Sequence, residues 1–292
     1  MGEGYDITRR SALALMGSGV AAAVWPERAY AAEPGENAQR STGSFKQSVC
    51  RWCYPKMSVD ELAMHAAEIG LSSVELLGER DWAAAKAHGL TCAMANGPTN
   101  IVRGWNRAKD HDRLVERTER MLPKVAEAGL PNMIVFSGNR DGLSDKDGLK
   151  NCAKGLKRII SMAEKLQVTI CMELLNSRVD HIDHQCDNTA WGVNLVKEVG
   201  SERFKLLFDI YHMGVMGEDV VRSIEENIDH IAHFHTGGVP GRHEIDETQT
   251  LDYQSICKTI VDTGFTGYLA HEFLPTRDPM TSLAQAAEIC TV

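Results

Sequence analysis

The chain repeats one local pattern, in which a helical stretch ends at a glycine and a short apolar segment follows. The pattern occurs at Gly70, Gly89, Gly129, Gly200 and Gly264. Glycine adopts the left-handed conformation that ends a helix without steric cost. A short segment that is apolar on both faces is typical of a strand in a parallel sheet covered by helices. The repeat therefore predicts alternating helices and parallel strands.

Other apolar segments bring the number of predicted strands to eight, with helical stretches between them. Eight such units in about 250 residues match the (β/α)8 barrel, the TIM-barrel fold of the α/β class. An open, doubly wound sheet is the alternative, but no GxGxxG or GxxxxGK[ST] turn supports nucleotide binding. The predicted strands cover residues 47–52, 72–77, 90–95, 132–137, 168–174, 204–209, 231–236 and 267–273.

The helical stretches carry their own boundary signals. Ser58 and Glu61 have the spacing of a capping box at the start of the first helix. Residues 110–128 have helical periodicity, in which Pro123 predicts a kink or a break. Residues 150–166 repeat that periodicity and predict another helix.

The first residues contain the three parts of an export signal in order. Arg9 and Arg10 form a twin-arginine pair, and an apolar run over residues 12–24 follows. Ala29-Tyr30-Ala31 then matches an A-x-A cleavage site. The apolar run is too short to span a bilayer, so we expect no membrane anchor. We therefore predict a cleaved signal peptide and export to the periplasm by the twin-arginine route.

Composition and charge narrow the class of protein. The 292 residues are 43% hydrophobic and 24% charged, an ordinary globular profile. The formal net charge of -9 argues against a nucleic-acid binder, which carries a basic surplus or stripe. We expect a small-molecule substrate, and the sequence leaves a homo-oligomer open. The predicted division of the chain is a signal peptide over residues 1–32, a linker over 33–45 and one barrel domain over 46–292.

The eight cysteines are scattered through predicted strands and helices rather than clustered in one loop-rich segment. We therefore do not expect a fold that is stabilised by disulfide bonds. Cys50 and Cys53 have CxxC spacing, but no second CxxC follows to complete a zinc site. We predict buried thiols.

Ionisable residues stand at the ends of the last four predicted strands, in the order Glu173, Asp209, His235 and Glu272. In a (β/α)8 barrel the active site forms at this carboxyl edge. Buried carboxylates that converge there would repel one another unless a cation lay between them. Three oxygen ligands with one nitrogen suit Mn²⁺ or Mg²⁺, with Co²⁺ or Zn²⁺ as alternatives. Each residue alone has an ordinary structural explanation, but their joint placement predicts one divalent metal site.

Further polar residues lie at the same predicted edge. Glu75 ends the second strand and Asn96 the third, where each would line a substrate pocket or cap a turn. Arg242 would hold a substrate carboxylate through two parallel hydrogen bonds, or pair with Glu244 in its own loop.

Four residues have two open interpretations each. His181 and His184 follow the fifth strand and would belong to a second metal site or to a solvated lid loop. Trp52 and Trp105 would form a wall of the site or pack in the core.

Four segments resemble the hydroxypyruvate isomerase family, within the xylose-isomerase-like superfamily of TIM-barrel sugar isomerases and epimerases. The most specific is Gly-Val-Pro-Gly-Arg-His-Glu over residues 238–244. The resemblance extends from roughly Phe45 onwards and implies a metal-dependent isomerase that converts hydroxypyruvate to tartronate semialdehyde. The segments that carry it are residues 173–178, 208–213, 238–244 and 271–273.

The resemblance also implies roles for individual residues. Isomerisation between neighbouring carbons needs an acid/base pair and a cation that holds the developing oxyanion. The implied roles are proton transfer and metal binding for Glu173 and Glu272, metal binding for Asp209 and His235, and substrate binding for His212 and Arg242.

Three other functions remain open from the sequence. A ketose 3-epimerase, or an enzyme acting on 3-keto sugars, would use the same metal site, and His235 matches ketose 3-epimerases where hydroxypyruvate isomerases often carry Gln. A non-catalytic periplasmic sugar-binding barrel would need no acid/base pair such as Glu173 and Glu272. A metal-dependent endonuclease would need a basic DNA groove, which the net charge of -9 disfavours.

The export signal yields a direct prediction. Exported protein should lack residues 1–31, because cleavage follows the A-x-A site. N-terminal sequencing of the exported protein checks this, and an intact chain that begins at Met1 in the cytoplasm would refute it.

Overall fold

The computed structural model describes residues 45–292. The predicted signal peptide and all but the last residue of the predicted linker lie outside the described residues. That last residue, Phe45, is buried in the core. The strands are β1 Lys46–Cys50, β2 Ser73–Glu75, β3 Met94–Ala95, β4 Asn132–Val135, β5 Thr169–Glu173, β6 Phe204–Asp209, β7 Ile231–Thr236 and β8 Tyr268–His271.

The eight strands are parallel and close into one ring. Neighbouring strands pair in the order β2-β1-β8-β7-β6-β5-β4-β3. Parallel bridges from Ser73 to Thr91 and from Leu77 to Ala95 join the two ends of this series. The (β/α)8 barrel predicted from the repeat is therefore confirmed, and the open sheet is excluded. A closed ring leaves no sheet edge and brings the carboxyl ends of all strands to one rim.

Helices lie between the strands and cover the outside of the ring. The capping box is confirmed, because the Ser58 hydroxyl accepts from the Glu61 amide and the Glu61 carboxylate accepts from the Ser58 amide. The helices are α1 Val59–Ile69, α2 Trp82–Ala87, α3 His111–Glu127, α4 Asp145–Leu156, α5 Ile160–Leu166, α6 Thr189–Val199, α7 Ile210–Met216, α8 Val220–Asn227, α9 Tyr253–Asp262 and α10 Pro279–Ile289.

Two helix predictions need correction. Helix α3 continues through Pro123, so the predicted break is wrong; Leu122 and Val125, on either side of it, are buried and keep the helix packed on the barrel. The predicted helix over residues 150–166 is two helices, because α4 ends at Leu156 and α5 begins at Ile160.

The five glycines of the repeat have the predicted left-handed backbone. Their φ angles lie between 72° at Gly200 and 94° at Gly70. At Gly70 and Gly129 an added Cβ would meet nothing within 4 Å, so space does not explain the glycine there. The positive φ that ends the helix before each strand is what selects glycine at these positions.

The cysteine prediction is confirmed. All eight cysteines lie within the described residues, and each is a buried thiol without a disulfide partner. No helix within residues 45–292 has the length and hydropathy needed to cross a membrane.

Glu244 connects the loop after β7 to the loop after β8 and to the first turns of α10. Its carboxylate accepts hydrogen bonds from the backbone amide of Thr276 at 2.8 Å, from the Thr276 hydroxyl at 2.8 Å and from the Ser282 hydroxyl at 2.9 Å. Burial alone would raise the pKa of Glu244, but these hydrogen bonds outweigh it and lower the pKa to about 2. The ionised carboxylate therefore stabilises the folded chain.

A Glu244→Gln variant should lose this stabilisation in a pH-dependent way. The pKa of Glu244 in the folded chain lies below its ordinary value of 4.5. The ionised carboxylate therefore contributes fully to the free energy of unfolding above pH 4.5, and this contribution is lost as the pH falls toward 2. The difference in unfolding free energy between wild type and variant should therefore shrink as pH falls. Denaturant titrations at neutral and acidic pH measure it, and a constant difference would contradict the assignment.

Candidate active site at the carboxyl ends of strands five to eight

The four predicted metal ligands meet at one rim of the barrel. Glu173 is the last residue of β5, Asp209 is the last residue of β6, His235 lies in β7 and Glu272 follows β8 directly. All four side chains are buried. One ligand atom from each lies within 4.8 Å of the others. Parallel pairing of these neighbouring strands brings together residues that are far apart in the sequence.

The imidazole of His235 is at the centre of this cluster. Its Nδ1 atom lies 2.9 Å from Glu272 Oε2, 3.2 Å from Glu173 Oε1 and 4.0 Å from Asp209 Oδ2. Three carboxylates therefore face one ring nitrogen. An ion placed among these four atoms would contact three oxygen donors and one nitrogen donor.

Arg242 reaches the same carboxylates from the loop after β7. Its Nη2 atom lies 2.5 Å from Glu272 Oε2 and 3.5 Å from Asp209 Oδ2. The guanidinium also lies 5.0 Å from the centre of the Trp52 ring and 5.2 Å from that of Tyr211, within cation–π range. Arg242 thus belongs to the site.

The alternative pairing of Arg242 with Glu244 is not formed. Glu244 is bound instead by Thr276, Ser282 and Arg277. A left-handed backbone at Arg242, with φ of 57°, turns this residue away from its loop neighbour.

The pKa values of the three carboxyl groups diverge within the cluster. Burial and the charge of Glu272 raise the pKa of Glu173 above its ordinary value. Burial raises the pKa of Asp209 well above its ordinary value, although Arg242 opposes the shift. Burial also disfavours charge on Glu272, but His235 and Arg242 outweigh it and hold its pKa well below the ordinary value. Burial and the neighbouring carboxylates thus oppose ionisation of Glu173 and Asp209, and a divalent cation would relieve that cost.

The donor set fits such a cation. Three carboxylates and one imidazole supply four protein ligands that are rich in oxygen, which suits Mn²⁺ or Mg²⁺ and is compatible with Co²⁺ or Zn²⁺. The side chains are held by their own contacts: the Asp209 carboxylate caps α7 by accepting from the His212 amide at 2.9 Å, and the Trp52 indole donates to Glu272 Oε1 at 2.6 Å.

His212 lies beside the cluster, where the sequence predicted a substrate contact. Its Nδ1 atom is 2.7 Å from the amide nitrogen of Asn176. The Asn176 carbonyl oxygen accepts from the backbone amides of Val179 and Asp180, which fixes the amide nitrogen toward His212. Nδ1 of His212 is therefore an acceptor and Nε2 carries the hydrogen. That Nε2 atom is buried, has no hydrogen-bond partner within residues 45–292 and lies 3.6 Å from Asp209 Oδ2.

The two other predicted substrate residues are placed differently. Asn96 donates its amide to the Leu76 carbonyl at 3.0 Å, in agreement with the alternative of a turn cap. Glu75 is fully buried, and its Oε1 atom contacts Nε2 of both His233 and His235. The expected substrate contact of Glu75 is thus replaced by a contact with two histidines, because the side chain points into the barrel interior.

The structure also places the four residues that had two interpretations each in the sequence. Trp52 is 42% exposed and borders the site, whereas Trp105 is fully buried in the core. The ring of His181 lies 5.2 Å from that of His212, and His184 is buried against the Ser137 hydroxyl. Neither histidine belongs to a group of metal-ligating side chains in the described part of the chain.

Three contributors to the site were missed in the sequence. His233 shares a strand face with His235 because side chains two apart point the same way, and this alternation could have revealed it. Asn176 and Tyr211 lie one turn beyond their strands, and the Tyr211 hydroxyl bonds Asp180 at 2.8 Å. No pattern in the sequence marks that contact.

Comparison with known proteins agrees with this arrangement. Residues 64–290 match the family described as the xylose isomerase-like TIM barrel. The chain belongs to this family. It is 27% identical over 232 residues to the 2-oxo-tetronate isomerase of Cupriavidus necator, covering 74% of this chain and 87% of the relative. It is 21% identical over 174 residues to the Mus musculus protein named "Putative hydroxypyruvate isomerase", covering 58% and 63%.

A solved structure shows the same fold. The 3-keto-D-glucoside 4-epimerase from E. coli superimposes with a TM-score of 0.71 at 19% identity, covering 85% of this chain and all of that protein. Because the relatives are named isomerases, the chain is an isomerase-like enzyme of the xylose isomerase-like family.

The site predicts one bound divalent ion per chain, lost when Asp209 is neutralised. An Asp209→Asn change keeps an oxygen that can cap α7 but removes a charged ligand. Elemental analysis of the purified variant should show metal content reduced at least ~10-fold, in line with losing a ligand group.

Asp219→Asn is the matched control, because Asp219 caps α8 in the same way and lies outside the cluster. It should keep its metal. Equal metal content in both variants would contradict the proposed ligand set.

Proposed function

We propose that this enzyme is a metal-dependent aldose–ketose type isomerase that acts on a short hydroxy-carbonyl acid. The substrate that fits best is hydroxypyruvate, converted to tartronate semialdehyde (2-hydroxy-3-oxopropanoate). The observation that carries the proposal is that Glu173 and Glu272 both approach His235 Nδ1, with Arg242 beside them. The names of the relatives support this class of reaction.

The two glutamates supply the proton transfer. Isomerisation removes a proton from one carbon and returns it to the neighbouring carbon through an enediolate. Glu173 and Glu272 extend from strands that are three places apart in the ring, yet each has an oxygen within 3.2 Å of the same nitrogen. A small substrate over this rim would lie between two carboxyl groups, each able to accept or donate a proton.

A divalent cation held by Glu173, Asp209, His235 and Glu272 would stabilise the negative charge that develops on the substrate oxygens. The protein contributes by fixing its own donor atoms before substrate binds. Asp209 is held as the cap of α7. Glu272 is held by the Trp52 indole and by the Arg242 guanidinium.

Arg242 explains a preference for an acid. A guanidinium binds a carboxylate more strongly and with better-defined geometry than it binds a neutral hydroxyl. Arg242 is mostly buried next to the metal ligands, where a carboxylate on the substrate would meet it. The Nε2–H of His212 would offer a second donor to a substrate oxygen on the Asp209 side.

A ketose 3-epimerase, or an enzyme acting on 3-keto sugars, is the second candidate. Two features favour it: the imidazole ligand His235, and the exposed Trp52, whose ring beside Glu272 would pack against a sugar. The epimerase with the same fold is consistent with it. Both candidates use the same glutamates, so they differ in substrate and not in site.

We further propose that the enzyme works in the periplasm. The support is the twin-arginine pair, the apolar run and the cleavage motif within residues 1–31. Assay of cell fractions for the enzyme tests this, and activity confined to the cytoplasm would contradict it.

Glu173→Gln and Glu272→Gln should each lower kcat by at least ~10²-fold, the usual scale for losing a positioned acid/base group. Each change keeps the volume and one oxygen ligand but removes the base. Exchange of the carbon-bound hydrogen of hydroxypyruvate with solvent deuterium should fall in parallel.

Glu218→Gln is the control, because Glu218 is half-buried and bonded to Thr189 and Ser223, outside the cluster. Its kcat should equal that of wild type. Near-normal turnover and exchange in both glutamine variants of the site, with metal bound, would show that the two-glutamate mechanism is wrong.

Arg242→Lys separates the two candidate functions. Lysine keeps the positive charge but cannot form the forked pair of hydrogen bonds. Because Arg242 also holds Glu272, kcat should fall for every substrate, and KM is the quantity to compare. If the substrate is an acid, the KM for hydroxypyruvate should rise ~10-fold or more, the scale of a lost charged hydrogen bond, while the KM for neutral ketoses changes little. An equal change in KM for hydroxypyruvate and for neutral ketoses would favour the epimerase.

A further inference from the structure

A second set of ionisable side chains lies inside the barrel, beneath the site. Glu75 on β2 extends across the interior to β7, three places away in the ring. Its Oε1 atom lies 2.8 Å from His233 Nε2 and 2.9 Å from His235 Nε2. The Cys50 thiol is more distant, at 3.9 Å from the same oxygen. We call Glu75, His233 and His235 the Glu75 network.

A carboxylate in this place is costly unless its charge is compensated, because its side chain has no exposed surface. The partners of Glu75 are two ring nitrogens, Nε2 of His233 and Nε2 of His235, and both lie at hydrogen-bond distance from its Oε1 atom. A carboxylate oxygen can only accept, so this geometry fits two N–H groups that donate to Glu75.

The Glu75 network and the metal site share the imidazole ring of His235, and each contacts a different nitrogen of it. Nε2 of His235 faces Glu75, and Nδ1 of the same ring faces Glu173 and Glu272. Both ring nitrogens face carboxylates, so the ring without an ion fits a hydrogen on each nitrogen. An ion among the rim carboxylates would take the place of the Nδ1 hydrogen, and the remaining hydrogen would stay on Nε2, facing Glu75. A metal ligand must offer a lone pair, so Nδ1 can bind an ion only when the hydrogen is on Nε2.

We infer that Glu75 is a positioning residue, which holds the Nε2–H form of His235 so that the Nδ1 lone pair faces the three carboxylates. The inference rests on the metal site of the proposed function. The negative charge of Glu75 also makes Nδ1 a stronger donor, as carboxylate partners do for histidine ligands in general. Glu75 itself touches neither the ion nor the substrate.

His233 keeps Glu75 in place. It lies two residues before His235 on the same face of β7, with the two rings edge to face at 5.2 Å. Because its Nε2 contacts the oxygen that His235 uses, Oε1 has two hydrogen-bond partners, whereas Oε2 has none in the described part of the chain. Rotation of Glu75 away from His235 would break both hydrogen bonds.

A second metal ion on Cys50, Glu75 and His235 is the competing explanation of the same atoms. These three side chains do lie close together. The Cys50 sulfur lies 3.9 Å from Glu75 Oε1, whereas the two imidazole nitrogens lie at hydrogen-bond distance from that oxygen. The number of ions bound per chain separates the two explanations, because a second site here would raise it from one to two.

Titration of the metal-free full-length protein with Mn²⁺ tests the inference without any substrate. Glu75→Gln keeps the side-chain volume and removes the charge, and its Kd for Mn²⁺ should rise ~10–100-fold. Ser48→Ala is the matched control, because Ser48 is equally buried and its hydroxyl donates to the Ser73 carbonyl at 3.2 Å, away from His233 and His235. Its Kd should stay within about twofold of wild type, a shift well below the effect of a lost ligand partner.

A measurement on wild type covers the case in which Glu75→Gln fails to fold. In protein with ¹⁵N-labelled histidine and bound Zn²⁺, His235 should show hydrogen on Nε2 and metal on Nδ1. An unchanged Kd in folded Glu75→Gln, metal on Nε2 of His235, or two ions per chain would each overturn the inference. Lack of hydroxypyruvate turnover would refute the proposed substrate alone and leave these results unaffected.

Discussion

The whole site depends on closure of the parallel ring. Parallel pairing places the ends of β5, β6, β7 and β8 side by side, and the curvature of the closed ring turns three carboxylates and an imidazole into one buried volume. Burial and like charge disfavour such a cluster, because carboxylates out of water need a compensating charge. The fold therefore places buried negative groups at one point of its rim, where a compensating positive charge is needed. The source of that positive charge, a side chain or a bound cation, determines the chemistry at the rim.

Two side chains of the protein supply part of this compensating positive charge. Arg242 contacts Glu272 and Asp209, and His235 contacts Glu272 and Glu173. Beneath them, Glu75 binds the second nitrogen of His235. The site is thus layered: the interior carboxylate orients the imidazole, the imidazole and the rim carboxylates form the donor set, and Arg242 lies at the substrate side.

The sequence predicted the parts of this architecture that follow from local rules. Helix ends at glycine, apolar strands and polar residues at strand ends are all local signals, so the barrel and the four converging residues could be predicted. Contacts across the barrel interior could not be predicted from the sequence, because the pairing of Glu75 with His233 depends on the exact rotation of the strands around the ring. For the same reason Arg242 could not be separated from its neighbour Glu244 until the left-handed turn was known.

Anomalous diffraction from crystals of the Mn²⁺-loaded enzyme tests the central claim most directly. We predict one Mn²⁺ peak at the rim, bound by Glu173, Asp209, Glu272 and Nδ1 of His235 at distances of about 2.0–2.3 Å, the range for such ligands. A peak elsewhere in the chain, or a rim that stays empty while Arg242 keeps its contacts with Glu272 and Asp209 at saturating Mn²⁺, would contradict the account.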